Sequence, residues 1–129
     1  MNIGIIGSRN FLDYKFLCER LDGLNFEITK IISGGAPGAD SLAERYAKEK
    51  GIVPDIHKAA WYDLNQTPVK IKLDKNGKEY NVLAGFNRNT KIVENSDLII
   101  AFSVDFSSGT EDTIMKARKS KKPVLIYSI

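Results

Sequence analysis

The chain has 129 residues, 43% of them hydrophobic, and 19 basic against 16 acidic residues leave a net charge of +3. That length suits one domain, expected to span residues 1–129, with an ordinary core. No apolar run approaches the roughly 20 residues of a membrane span, the single cysteine Cys18 excludes an internal disulfide, and so small a charge does not argue for nucleic-acid binding by itself.

Residues 2–6 form a short apolar strand that ends at Gly7-Ser8. The chain opens directly on this strand, so no signal peptide is read and a cytoplasmic location is the expectation. Residues 12–24 carry Phe16, Leu17, Leu21 and Leu24 at helical spacing. A second strand follows at 28–32. Residues 41–50 repeat Leu42, Ala43, Tyr46 and Ala47 on one helical face, with Gly51 placed as the C-cap. Residues 53–56 are a third, weaker strand. Residues 69–82 read as a β-hairpin, with Val69, Ile71 and Leu73 alternating with lysines. Asn76-Gly77 is a type I′ turn signal there. Its Lys-rich faces fit a solvated projection; a cover for a site, or contact with a second subunit, are the alternatives. Residues 98–102 are a fourth strand, 110–120 a helix and 123–127 the last strand.

Apolar strands without a clear period of two, alternating with helices, predict a mainly parallel sheet of about five strands covered on both faces. The fold class is therefore α/β, a three-layer Rossmann-like domain with an inserted hairpin at about residues 68–82. In such sheets ligands sit at the carboxyl ends of the strands, near the switch in strand order.

Four groups are expected to meet there. Gly7, Ser8 and Arg9 follow the first strand, where small residues leave space and Arg9 offers a forked donor to phosphate or carboxylate. The alternative is an ordinary turn with a surface arginine. Ser33, Gly34, Gly35, Ala36, Gly38 and Asp40 follow the second. A strand that ends in a glycine-rich turn and feeds a helix N-terminus is a ready anion site. Asp40 either caps that helix, or holds a ribose hydroxyl or a water, or supports the loop. In the third group Arg88 and Asn89 supply donors and Phe86 offers a stacking face. In the fourth, Ser108, Gly109 and Thr110 open a second helix, followed by Glu111 and Asp112. Ser108 and Thr110 either bind phosphate oxygens or cap the helix. Trp61, just after the third strand, either packs or stacks on a base. The basic residues Lys116, Arg118, Lys119, Lys121 and Lys122 read as a solvated helix end, with a phosphate-contacting patch as the alternative. No cofactor and no metal are expected.

These motifs resemble the SLOG superfamily, and within it a small YspA-like branch. Gly7-Ser8-Arg9 matches its first motif, Ser33-Gly34-Gly35-Ala36 with Gly38-Ala39-Asp40 its second, Arg88-Asn89 its third, and Gly109-Thr110 with Asp112 its last loop. Trp61 stands where that branch tends to carry a tryptophan. The resemblance implies one of three functional types. The first is a phosphoribohydrolase that cleaves the N-glycosidic bond of a nucleotide, in which Asp40, Glu111 or Asp112 orients water or stabilises the cation. The second is the single-stranded-DNA binding of a DNA-processing protein. The third is a sensor of nucleotide signals. The phosphoribohydrolase signature has a glutamate three residues after its Gly-Thr, where this chain has Thr113 followed by Ile114, and a Pro-Gly-Gly where this chain has Phe106-Ser107-Ser108, so neither is met. Binding of a nucleotide or nucleotide-derived molecule, by a sensor or sequestering module, is therefore favoured, with hydrolysis second and single-stranded nucleic acid third. Relatives in the superfamily imply a homo-oligomer.

Overall fold

A computed structural model describes residues 1–105 and 107–128; Phe106, read above as part of the last loop, lies outside them. The chain runs β1 (Asn2–Gly7), α1 (Tyr14–Asp22), β2 (Lys30–Ser33), α2 (Ala39–Lys50), β3 (Val53–Ile56), β4 (Ile71–Leu73), β5 (Glu79–Asn81), α3 (Ala84–Asn95), β6 (Leu98–Ser103), α4 (Ser108–Lys119) and β7 (Val124–Ser128). Five parallel strands form one sheet in the order β3-β2-β1-β6-β7, and β4 and β5 form a separate antiparallel pair. The fold is the expected three-layer, Rossmann-like α/β domain. No helix of the described residues is long and apolar enough to cross a membrane.

The strand sequences explain the layers. Side chains alternate between faces of a strand. Ile3 and Ile5 of β1, with Leu98, Ile100 and Phe102 of β6, pack under Leu17 and Leu21 of α1 and Ala43 and Ala47 of α2. Ile6, Ile32, Ile99 and Ala101 point the other way, to Ile92 and Val93 of α3 and Ile114 and Ala117 of α4. Both faces are covered, so the central strands show no polar alternation. The edge strand β3 is largely exposed, which is why its sequence signal is weak.

The order reverses between β1 and β6. From β1 the chain crosses to β2 and β3 on one side; β6 and β7 lie on the other. Ile3 pairs with Leu98 and Gly7 with Phe102, so both strands end at the same level. Their carboxyl ends diverge into separate loops and leave a crevice between them.

The hairpin differs from its expectation in one respect. A type I′ turn needs positive φ at both central residues, and here Gly77 has φ +80 while Asn76 does not share that conformation. Asp74 is the reason. Its Oδ1 accepts the N–H groups of Asn76 (2.8 Å) and Lys78 (2.9 Å), while its carbonyl accepts that of Gly77. These bonds hold the turn as a three-residue loop with one left-handed glycine. The ladder is correspondingly short, three residues on each strand.

Candidate functional site

A cleft of about 540 Å³ opens at the carboxyl ends of β1 and β6. Gly7, Ser8 and Arg9 line it from β1, Gly34, Ala36 and Asp40 from the β2–α2 turn, and Phe86, Arg88 and Asn89 from α3. Ser108, Gly109 and Thr110 of α4 close the far side, and Trp61 reaches in from the β3–α3 connection. The strand-end turns after β1, β2 and β6 thus converge with α3 and Trp61 on one crevice. Ser33, Gly35, Gly38, Glu111 and Asp112, expected with them, are not among its lining residues.

Ser8 is nearly buried and works as a fastener. Its hydroxyl accepts the N–H of Val104 (2.9 Å) and lies 3.0 Å from the carbonyl oxygen of Asp105, to which it donates. The β1 loop is thereby locked to the β6 loop. Asp105 lines the cleft as a result, and sequence reading missed it. Its signal is positional only: a carboxylate just past the end of a central strand.

Gly38 fixes the α2 start. It has φ +83, and a Cβ there would fall 2.3 Å from the Ser8 carbonyl oxygen and 2.4 Å from that of Arg9. The Ser8 carbonyl also accepts the first N–H of α2, from Ala39, at 3.2 Å. One of the donors expected to hold an anion is therefore taken up by the protein. This packing turns Gly38 toward the β1 loop, away from the cleft.

Asp40 does not cap its helix. The N-cap is Gly38, without a side-chain bond, and the Asp40 carboxylate reaches back to accept the Ala36 N–H at 3.1 Å. Burial pushes its pKa up to about 6; the Ala36 N–H and the Arg88 guanidinium pull it down, and Glu44 raises it. Arg88 donates from Nη1 to the Gly34 carbonyl at 2.7 Å and from Nε to Asn89 Oδ1 at 3.0 Å. Gly34 permits this approach, since a Cβ there would lie 2.4 Å from Arg88 Nη1 and 2.9 Å from Asp40 Oδ2. Burial lowers the Arg88 pKa, Asp40 opposes that, and Arg9 adds to it. Arg88 therefore braces the turn. Arg9 is exposed at the rim and forms no ion pair among the described residues.

At α4 the cap is Ser107. Its hydroxyl accepts the Thr110 N–H at 3.3 Å, and the helix begins two residues earlier than its expected start at Thr110. Among the described residues no acceptor meets the N–H groups of Ser108 and Gly109. Unpaired donors at a helix N-terminus favour an anion. Asp112 faces α3 instead: its Oδ2 accepts Asn89 Nδ2 at 3.2 Å and Lys116 Nζ at 2.8 Å. Lys116 also donates to the Phe86 carbonyl at 2.7 Å. Of the basic tail residues, Lys116 thus bridges α3 and α4, and Lys122 donates to the Val93 and Glu94 carbonyls at the end of α3. Glu111 lies beside Met115, Arg118 and Ile126 along a shallow groove apart from the cleft.

A parallel sheet with its crevice at the reversal of strand order, walled by strand-end turns, defines a Rossmann-like ligand-binding domain. The chain belongs to the YspA, cpYpsA-related family of the SLOG superfamily: that family's model matches residues 1–63. Gene 61 protein of Mycobacterium phage D29 is 31% identical over 103 residues, which cover 75% of this chain and 70% of the relative. The structure is similar to that of DNA processing protein A from Streptococcus pneumoniae, with a TM-score of 0.72 and 21% identity over 97% of this chain. The chain spans 49% of that protein's length, and at this identity the likeness is one of fold.

Proposed function

We propose that the cleft binds a nucleotide or nucleotide-derived small molecule, as a sensor or sequestering module. The observation that carries the reading is that one cleft is lined both by exposed Arg9 and the α4 start, Ser108 to Thr110, and by the aromatic faces of Trp61 and Phe86. An anionic group with a planar ring attached satisfies both kinds of lining at once. The volume of about 540 Å³ lies within the range of small-molecule sites. Membership of a SLOG family supports the same class of ligand.

Asp40 favours hydrolysis of an N-glycosidic bond as the second reading. A buried carboxyl titrating near 6 in a cleft keeps its proton in roughly one molecule in ten at pH 7 and is ionised in the rest, so it is able to exchange a proton with a water or a departing base. Single-stranded DNA is the third reading, supported by the likeness of fold to DNA processing protein A.

A thermal-shift panel of nucleoside phosphates, nicotinamide dinucleotide derivatives and short single-stranded DNA tests the three together, with each hit incubated and assayed for released base. A rise in Tm with intact mononucleotide is the expected result. Released base that disappears in Asp40→Asn, with binding retained, moves the protein to the hydrolases. Affinity that grows with strand length and falls steeply with salt identifies a DNA-binding module. No shift with any ligand refutes the nucleotide reading.

A further inference from the structure

Residues 57–83 connect β3 to α3, far more chain than the roughly 4–6 residues of a typical connection. Long ordered connections in compact domains are generally functional. This one contributes Trp61 and Val82 to the cleft, and its hydrogen bonds converge on one buried side chain.

That side chain is Asn81, which is fully buried. Its backbone N–H donates to the Trp61 carbonyl at 2.7 Å. Its Oδ1 accepts the N–H groups of Lys70 and Leu83, both at 3.0 Å, and its Nδ2 donates to the Pro68 carbonyl at 3.1 Å. The side-chain amide thus ties both sides of the hairpin base to the approach to α3, and the main-chain N–H of the same residue holds the Trp61 turn. Asn87 of α3 adds a second tie, donating from Nδ2 to Gln66 Oε1 at 2.9 Å and to the Pro68 carbonyl at 3.0 Å. A buried amide with both ends satisfied fixes one geometry, because any displacement strands polar groups away from water.

What is held in place is an open aromatic wall. Trp61 is 42% exposed and Phe86 38% exposed, although both line the cleft. Gly85 lies against the Trp61 ring: a Cβ there would stand 3.3 Å from Cη2. Val82 also lines the cleft, and Lys116 Nζ stands 5.8 Å from the centroid of the Phe86 ring. Large aromatic faces left open in a cleft fit a planar ring, which stacks on them without needing hydrogen-bond readout.

We propose that the β3–α3 connection is the ring-selecting wall of the cleft, and that Asn81 is the positioning residue that sets Trp61 against the ring. The proposal rests on the nucleotide reading above and adds to it the part of the ligand this wall takes. Asn81 touches no ligand; its side-chain amide fixes the backbone whose N–H holds the Trp61 carbonyl, and Asn81→Ala removes that anchoring while leaving the N–H itself. The base of the hairpin is then a structural brace of the site, while its strands and turn project into solvent as expected.

The test uses the full chain with two probes, adenosine 5′-monophosphate and ribose 5-phosphate, which share an anionic sugar and differ in the ring. Trp61 is the sole tryptophan, so its emission reports on the wall, and calorimetry gives both affinities. In the unaltered protein, the mononucleotide quenches Trp61 and ribose 5-phosphate does not. Asn81→Ala is expected to weaken the mononucleotide by about tenfold, the scale of one lost stacking contact. Ribose 5-phosphate is expected to bind with affinity changed by less than about twofold. If Asn81→Ala does not fold, Trp61→Ala is compared with the two probes, and the same selective loss is expected. Equal weakening of both probes, or an unchanged mononucleotide affinity, overturns the proposal while leaving the nucleotide reading in place. Failure of the unaltered protein to bind either probe overturns both.

Discussion

Replacing Asp40 by asparagine is expected to stabilise this protein at neutral pH. The carboxyl is 9% exposed, and burial raises its pKa from 3.8 to about 6. At about 1.4 kcal/mol per pH unit, that difference corresponds to about 3 kcal/mol of native-state stability lost once Asp40 is ionised. The sign follows from proton binding. The native carboxyl keeps its proton to a higher pH than the unfolded one. Its contribution is therefore fully present below about pH 3.8 and is lost as the pH rises through about 6. Asparagine resembles the protonated carboxyl and retains an oxygen to accept the Ala36 N–H. Urea denaturation of both proteins between pH 4.5 and 8 measures the effect, and subtracting the curves cancels the groups they share. The variant is expected to gain about 1–3 kcal/mol at pH 7.5, with the gain shrinking toward acid pH. A variant that is less stable at pH 7.5, by an amount independent of pH, refutes the reasoning. A carboxylate retained in a cleft against its own stability cost points to work on a ligand.

Gly38→Ala is expected to lose about 2–4 kcal/mol, because φ +83 and the Ser8 and Arg9 carbonyls leave no room for a Cβ; a drop in Tm of roughly 10 °C in a thermal melt checks this. Lys122→Ala removes two bonds to the last carbonyls of α3 and is expected to lower stability by about 1 kcal/mol, read by denaturant titration. Arg9→Ala is expected to weaken mononucleotide binding by about tenfold without a change in Tm, since Arg9 has no ion pair to lose within the described residues. Calorimetry at several salt concentrations checks this and is expected to give a shallow salt slope, of about one counterion, rather than the steep slope of a DNA contact.

Much of the fold is legible in the chain because burial writes it there. Ile3, Ile5 and Ile6, and the run from Leu98 to Phe102, read as continuous apolar strands because opposite faces of each meet different helix pairs. The glycine-bearing turns after those strands locate the cleft, since a parallel sheet gathers all such turns on one edge. The roles inside the cleft are less legible. Gly34 and Gly38 look alike in sequence, yet one admits the Arg88 guanidinium and the other admits the Ser8 and Arg9 carbonyls. Asp40 and Asp112 each stand near a helix start; helical i,i+4 spacing gives Asp112 to Lys116, while only tertiary packing brings Asn89 to Asp112 and leaves Asp40 in the cleft. Asn81 carries no pattern at all, because its importance lies in bonds to residues 61, 68, 70 and 83. The type I′ expectation for Asn76-Gly77 failed because Asp74, two residues earlier, captures the turn's N–H groups.

The most direct measurement is an amide chemical-shift titration of the isotopically labelled chain, which at 14.4 kDa suits such a measurement, with adenosine 5′-monophosphate. The largest shifts are expected at Ser8, Arg9, Gly34 and Ala36, at Ser108 to Thr110, and at the Trp61 indole. Shifts confined to other surfaces, or none at millimolar ligand, contradict the claim that this cleft is a nucleotide site.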